Sequence, residues 1–323
     1  MPKRALITGI TGQDGYYLAK LLLEKGYEVH GLVRPEHYDV SGRLGDISGR
    51  VHIEHAELTD SLTIRVIVER LQPDEIYNLA APSHVGRSFS VPESTIEIVG
   101  VGCLRLLEAV RQASPRSRIY QAASSEMFGR ATTSPQNEQT PFHPRNPYGV
   151  AKLAAYWAVV NYRETYGLFA CNGITYNHES ERRGEEFVTR KISMAAARIA
   201  LGLQQRLALG NLDARRDWGF APEYVHAMWL MLQQPEPDDF VLGTGVTHSV
   251  RDFCQEAFER VNLDYKDYVD LDPGLVRPAE EHLLVADPSK AARVLGWRAT
   301  TPLSEIVAHM VDADLARQRA ALR

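Results

Sequence analysis

Residues 4–15 read R-A-L-I-T-G-I-T-G-Q-D-G, and this stretch decides the fold. Residues 4–8 are a short apolar run of the kind that forms a buried strand. Gly9, Gly12 and Gly15 follow at G-x-x-G-x-x-G spacing. A helical pattern through Leu18, Leu21, Leu22 and Lys25 comes next, closed by Gly26. Strand, glycine turn and helix in that order make a phosphate cradle. Without a Cβ the backbone can approach a pyrophosphate, and the helix N-terminus then stabilises its charge. Thr11, Gln13 and Asp14 lie in the same turn and join the three glycines as candidate dinucleotide contacts.

The rhythm continues outward from there. Apolar runs at 28–33, 51–58, 75–80, 118–123 and 169–176 read as strands. Helical patterns lie between them at Leu104, Leu106, Leu107 and Val110, and over 148–166. Such alternation specifies an α/β protein with a doubly wound parallel sheet. The second strand ends at Arg34. An arginine there pairs with a 2′-phosphate and favours NADP, whereas Glu36 nearby favours the bare ribose of NAD. NADP is the expected cofactor and NAD the alternative. Leu79, Ala80, Ala81 and Ser83 lie at and just past the end of the fourth strand and are small enough, for the most part, to leave room beside a cofactor.

The chemistry is expected after the fifth strand. Residues 121–129 read Q-A-A-S-S-E-M-F-G, and residues 146–152 read N-P-Y-G-V-A-K. Ligands bind at the carboxyl ends of strands in such sheets, which is where Ser124 and Glu126 fall. Tyr148 and Lys152 are four apart on a helical segment, so their side chains share a face. An ammonium near a phenol favours the phenolate, which predicts a lowered Tyr148 pKa and a base usable near neutrality. Ser124 would hold a substrate hydroxyl beside that phenol, and Glu126 adds a second proton acceptor. Downstream the pattern is less regular, with helices expected at 187–201, 222–233 and 250–261, the last capped by Ser249, and a final helix from about 303. Lys191, Arg216 and Arg277 are candidates for holding a diphosphate, and Glu280 for accepting from a base or sugar edge.

The 323 residues suffice for one or two domains with a sizeable core. The net charge of −5 and the lack of a long basic run argue against nucleic acid. Cys103, Cys171 and Cys254 are far apart and odd in number, so neither a disulfide framework nor a metal site is expected. No apolar run approaches a membrane span, and the first residues lead straight into a strand rather than a signal peptide. A cytoplasmic protein is expected.

These stretches together resemble an extended short-chain dehydrogenase/reductase, and more narrowly the GDP-mannose 4,6-dehydratase family over nearly the full length. The resemblance is carried by residues 5–15, by L-L-L-E-K-G-Y-E-V-H-G at 21–31 and by S-E-M-F-G at 125–129. V-N-Y-R-E at 160–164, N-H-E-S at 177–180, F-V-T-R-K-I at 187–192, the segment 210–234 and Leu295-Gly296-Trp297 match as well. It implies a Rossmann-type dinucleotide-binding domain over residues 1–175, to which the chain returns around 211–245 and 283–298. A smaller mixed α/β substrate domain would lie mainly in 176–323.

The implied reaction converts GDP-mannose to GDP-4-keto-6-deoxymannose by moving a hydride from C4 to C6 through NADP. Tyr148 would take the 4-hydroxyl proton, with Lys152 supporting it and contacting the nicotinamide ribose. Ser124 would hold the 4-oxygen, and Glu126 would take the C5 proton. The resemblance places Glu57 and Leu58 near the adenine, and His178 and Arg183 near the cofactor. It places Ser83, Asn177, Val188, Lys191, Arg216, Arg277 and Glu280 on the GDP-sugar. It also implies a homodimer or homotetramer. The chain departs from the family pattern at Pro35-Glu36, Glu57, Pro82, 86–88 and Glu181. The alternative activity is therefore a dehydratase, reductase or epimerase acting on a related nucleotide sugar such as a GDP-heptose.

Overall fold

The computed structural model describes residues 2–37, 40–275 and 283–322. Its strands are β1 Arg4–Thr8, β2 Glu28–Val33, β3 His52–His55, β4 Glu75–Asn78, β5 Arg118–Ser124, β6 Ala170–Thr175, β7 Asn177–Glu179, β8 Leu207–Leu209, β9 Arg215–Arg216, β10 Trp218–Phe220, β11 Phe240–Leu242, β12 His248–Ser249 and β13 Val269–Leu271. Its α-helices are α1 Gln13–Glu24, α2 Ser41–Leu44, α3 Ser61–Leu71, α4 Val85–Ser88, α5 Pro92–Ile96, α6 Gly102–Ala113, α7 Pro147–Tyr166, α8 Val188–Ala200, α9 Ala221–Met231, α10 Val250–Glu259, α11 Ser289–Leu295 and α12 Leu303–Ala321.

Among the described residues the main sheet runs β11-β6-β5-β4-β1-β2-β3, and its paired strands are parallel. Neighbouring residues of a strand face opposite ways. Ile7 accordingly packs with Leu18, Leu22, Tyr224, Met228 and Trp297 under α1, α9 and α11. Leu6 packs with Ile64, Val68, Leu106 and Val159 under α3, α6 and α7. Both faces are covered, which is why Ala5, Leu6 and Ile7 of β1 are apolar in succession. This is the Rossmann-type architecture expected. A separate cluster joins α8, α10 and α12 around Ile192, Phe253, Phe258, Ile306 and Met310.

Two glycines of the first turn are sterically required. Gly9 has φ +71°, and a Cβ there would lie 2.9 Å from the backbone of Ala80. A Cβ on Gly15 would meet the Gly9 carbonyl oxygen at 2.3 Å, so only glycine lets α1 start this close to the turn.

Strand ends depart from the sequence expectation for identifiable reasons. β4 stops at Asn78 instead of residue 80 because the Leu79 and Ala80 N–H groups both donate to Thr8 Oγ1 at 3.0 Å, leaving the ladder. β3 covers only 52–55 of the expected 51–58. Ser249 does cap α10, through a reciprocal capping box with Asp252, but the helix ends at Glu259 and not at residue 261. Asn262 beyond it has φ +58°, incompatible with continuation. Three small two-stranded pairings, β7 with β10, β9 with β12 and β8 with β13, were not expected from the sequence.

Candidate active site

The site is assembled at the carboxyl ends of β1, β4, β5 and β6. α1 begins at Gln13 with Gly12 as N-cap and no side chain capping it. Its first-turn N–H groups are thus available to an anion. Gln13 ties this turn to the segment after β6: its Nε2 donates to the His178 carbonyl at 3.0 Å, and its Oε1 accepts from Ser180 Oγ at 2.8 Å. Thr11 is half-buried beside it. The open helix start and the glycine turn fit a dinucleotide.

Asp14 and His178 form a second tie. His178 Nε2 is 2.9 Å from Asp14 Oδ2, and His178 Nδ1 lies 2.7 Å from the Tyr176 carbonyl. A carbonyl only accepts and an ionised carboxylate only accepts, so both ring nitrogens carry hydrogen and the imidazole is a cation. Burial opposes that charge on His178, but Asp14 outweighs it and raises the histidine above its ordinary value. Burial likewise opposes ionisation of Asp14, yet His178, Gln13 and Arg183 bring its carboxyl down to about 2. The ring stacks on Tyr224 at 4.5 Å, which fixes its plane.

Ser124 ends β5, and its Oγ accepts the Glu126 N–H at 3.2 Å, starting the turn Ser125–Met127. α7 begins immediately beside that turn: a Cβ on Gly149 would lie 2.6 Å from the Glu126 carbonyl oxygen. Asn146, the N-cap of α7, accepts the Gly149 N–H at 2.7 Å and donates from Nδ2 to Glu126 Oε2 at 2.7 Å. Tyr148 is buried in the first turn of α7, its phenol close enough to Ser124 and Glu126 for the serine hydroxyl and the carboxylate charge both to act on its ionisation. Ser124, Glu126 and Tyr148 therefore converge.

One electrostatic expectation is corrected. The Tyr148 phenol is raised, not lowered: burial, then the Glu126 carboxylate, outweigh the Ser124 hydrogen bond and the Arg183 charge. Lys152 shares the face, as the spacing predicts, with Nζ 5.6 Å from the Tyr148 ring centroid. Its ammonium donates instead to the Ala122 carbonyl at 2.6 Å, and burial pulls it down to about 8.

The remaining expected residues divide by place. Arg183 stacks 3.8 Å over Phe187, with Nε 3.2 Å from Glu179 Oε2. Ala80 and Leu79 are fixed by Thr8, with Ala81 half-buried and Ser83 exposed just beyond. Arg34 is exposed at the end of β2 but engaged locally, 3.0 Å from Glu36 and 2.7 Å from His37 Nε2. Glu57 is exposed and accepts from Thr59 at 2.9 Å, while the Leu58 side chain is buried in the core against α6. Asn177 pairs with Trp218 between β7 and β10. Val188 opens α8 and Lys191 is exposed one turn later. Arg216 sits in β9, its Nη1 donating to the Arg215 carbonyl at 2.7 Å. Arg277 and Glu280 lie outside the described residues.

Two residues escaped the sequence reading. Asn146 had a usable signal, an Asn immediately before Pro147 at a helix start. Glu179 is buried, accepts a hydrogen bond from Thr189 Oγ1 at 2.5 Å and is ion-paired with the Arg183 guanidinium. No pattern in sequence brings those three together. Among the described residues no group of three His, Cys, Asp or Glu side chains is arranged to hold a metal, and no helix is long and apolar enough to cross a membrane.

A sequence model described as GDP-mannose 4,6 dehydratase matches residues 6–310. GDP-mannose 4,6 dehydratase 2 of Arabidopsis thaliana is 54% identical, over 97% of this chain and 87% of its own length. GDP-mannose 4,6-dehydratase of Sinorhizobium fredii (strain HH103) is 50% identical over 98% of both. The GDP-mannose 4,6 dehydratase of Homo sapiens is 48% identical over 98% of this chain and 92% of its own. Among solved structures, DesIV (dTDP-glucose 4,6-dehydratase) from Streptomyces venezuelae with NAD and TYD bound superposes with TM-score 0.85 at 21% identity, covering 99% of this chain and 98% of that one. RMD from Pseudomonas aeruginosa complexed with NADPH superposes with TM-score 0.82 at 21% identity, covering 98% and 100%. Likeness at those identities shows the fold.

Proposed function

This chain belongs to the GDP-mannose 4,6-dehydratase family and dehydrates GDP-mannose to its 4-keto-6-deoxy derivative, and we propose that Ser124, Glu126, Tyr148 and Lys152 carry the proton transfers. The observation behind this is the convergence of Ser124, Glu126 and Tyr148 on the start of α7. Net dehydration of the sugar needs a hydride and two protons moved in turn. The cofactor, which Gly9, Thr11, Gly12, Gln13, Asp14, Gly15, Leu79, Ala80, Ala81, Ser83, His178 and Arg183 would hold, would supply the hydride acceptor and donor and, when oxidised, a positive charge.

Tyr148 Oη receives the proton of the sugar 4-hydroxyl while the Ser124 hydroxyl donates to the same oxygen. The phenol is neutral in the ligand-free site, so it becomes a base only with cationic charge nearby. Lys152 contributes part of that charge, since at pH 7 an ammonium titrating about 8 is mostly protonated. The resulting 4-keto group acidifies the C5 hydrogen, which Glu126 takes up and passes to the C6 hydroxyl as that group departs as water; the C5–C6 alkene left behind then takes the hydride at C6 and, at C5, the proton held on Tyr148. α8, with Val188 and Lys191, and β9, with Arg216, carry the groups we assign to the GDP moiety, together with Ser83, Asn177, Arg277 and Glu280. We assign residues 1–175 to cofactor binding, with returns of the chain to that part around 211–245 and 283–298, and residues 176–323 mainly to substrate binding.

NADP is our assignment for the cofactor, supported by Arg34 at the end of β2; Glu57 and Leu58 are assigned to its adenine end. A homodimer or homotetramer is supported by exposed apolar side chains, Leu104 on α6 and Val150 and Trp157 on α7. Val150 and Trp157 lie two turns apart on one helix face. A cytoplasmic location accords with three free, buried cysteines.

The test is incubation with GDP-mannose without added reductant, following the 4-keto-6-deoxy product. Glu126→Gln is expected to stop product formation while leaving cofactor binding intact. Full turnover by that variant refutes the role of Glu126. Denatured protein should release NADP(H); recovery of NAD(H) alone refutes the cofactor assignment.

A further inference from the structure

Asn146 makes two hydrogen bonds that no single smaller side chain can reproduce. Its Oδ1 accepts the Gly149 N–H at 2.7 Å, closing the first turn of α7. Its Nδ2 donates to Glu126 Oε2 at 2.7 Å. The side-chain amide is planar, so fixing its oxygen on the helix fixes the direction of its nitrogen. The residue is buried, 8% exposed, and solvent does not compete freely for either bond. The helix start that Asn146 organises also carries Tyr148 and lies against the backbone of the Glu126 turn through Gly149.

We propose that Asn146 is a positioning residue for the dehydration step. It engages Oε2 of Glu126 and leaves Oε1 to face the C5 hydrogen, holding the carboxylate and the Tyr148 phenol in one rigid frame. The consequence is separable from helix capping. Ser, Asp and Asn all cap well, but a serine hydroxyl on Cβ is too short to do both tasks, and an aspartate has no donor for Glu126. The proposal rests on the reading of Glu126 as the group that takes the C5 proton.

The test compares Asn146→Ser, Asn146→Asp and Glu126→Gln in the full chain with its cofactor, using GDP-mannose and GDP-mannose deuterated at C5. For Asn146→Ser, kcat is expected to fall about 10- to 100-fold, the span of one hydrogen bond to a charged group, with KM within about 2-fold. The C5 isotope effect on kcat should rise, because proton removal at C5 becomes more rate-limiting. Asn146→Asp should fall further, since it sets a second carboxylate against Glu126. The thermal midpoint of Asn146→Ser should stay near that of the parent, as it keeps the cap, whereas that of Asn146→Asp should fall because two carboxylates then face each other at a buried site.

A kcat and C5 isotope effect unchanged in Asn146→Ser overturn the proposal. So does a lowered kcat with an unchanged isotope effect, which would mark a purely structural role. If either variant fails to fold, the other decides on the same two readouts. Normal turnover by Glu126→Gln would instead overturn the underlying role of Glu126, so the two failures are distinguishable.

Discussion

Replacing Asp314 by Ala should destabilise the lobe built from α8, α10 and α12 more than any surface charge change. Asp314 on α12 is 2% exposed and pairs with Arg190 on α8, itself 6% exposed. It also accepts Ser193 Oγ at 2.7 Å. Arg317, with a side chain 45% exposed, pairs with it at 3.1 Å and can turn to water when the carboxylate is gone. Arg190 cannot: its Nε is already buried without a hydrogen-bond partner among the described residues. Stranding a buried guanidinium costs about 3–5 kcal/mol. The lost Ser193 bond adds about 1 kcal/mol. Against a typical total of about 5–15 kcal/mol this is a large share. The assay is urea unfolding followed by fluorescence, with Trp218 buried in that lobe as a reporter. The control replaces the pair, Arg190→Met with Asp314→Leu, and should recover most of the loss because apolar groups leave no stranded charge. A loss below about 1 kcal/mol for Asp314→Ala, or no recovery in the double variant, refutes the reasoning.

The Asp14–His178 pair gives a pH signature. Asp14 is depressed from 3.8 to about 2, so its contribution is present above pH 3.8 and is lost as pH falls toward 2. His178 is raised from 6.5, so its contribution is full below pH 6.5 and is lost as pH rises through the higher folded value. Urea midpoints of His178→Gln should therefore lie closest to the parent outside pH 4–6.5 and furthest below it inside, and parallel profiles would contradict the pairing. Gly149→Ala places a Cβ 2.6 Å from the Glu126 carbonyl oxygen, so turn or helix must shift. We expect about 1–3 kcal/mol of destabilisation and a lower kcat, and an unaltered kcat would show that the turn moves freely. Glu36→Gln combined with His37→Ala removes both local partners of Arg34, at 3.0 and 2.7 Å, and should tighten NADPH several-fold relative to NADH, measured by titration; an unchanged ratio removes Arg34 from the adenosine end.

The sheet was legible because its signals are local. The apolar run 4–8, the three glycines and the helical pattern after them each carry their own physical reason, and β1 and α1 follow them closely. Where partners come from afar, legibility failed. β7 and β10 are three residues each, too short for periodicity, and exist only because Asn177 and Trp218 meet in space. β4 ended early for the sake of a hydroxyl on β1. In the site, four-residue spacing correctly put Tyr148 and Lys152 on one face. It could not tell that the Ala122 carbonyl would claim the ammonium, nor that burial would dominate the phenol. Asn146 was missed altogether, although an Asn before Pro147 is a cap signal; its partnership with Glu126 had no signal, because a turn twenty residues earlier in the chain had to fold beside it first.

The place of β11 bears on how such proteins can be recombined. This strand is supplied from residues 240–242 yet completes the edge of the sheet beside β6, after the chain has already left to build β7 through β10. A hybrid spliced once, at the end of β6, would marry a sheet from one parent to a border strand from another. Transplanting a relative's sugar-recognising region thus calls for at least two junctions, with the returning strand kept native to its host.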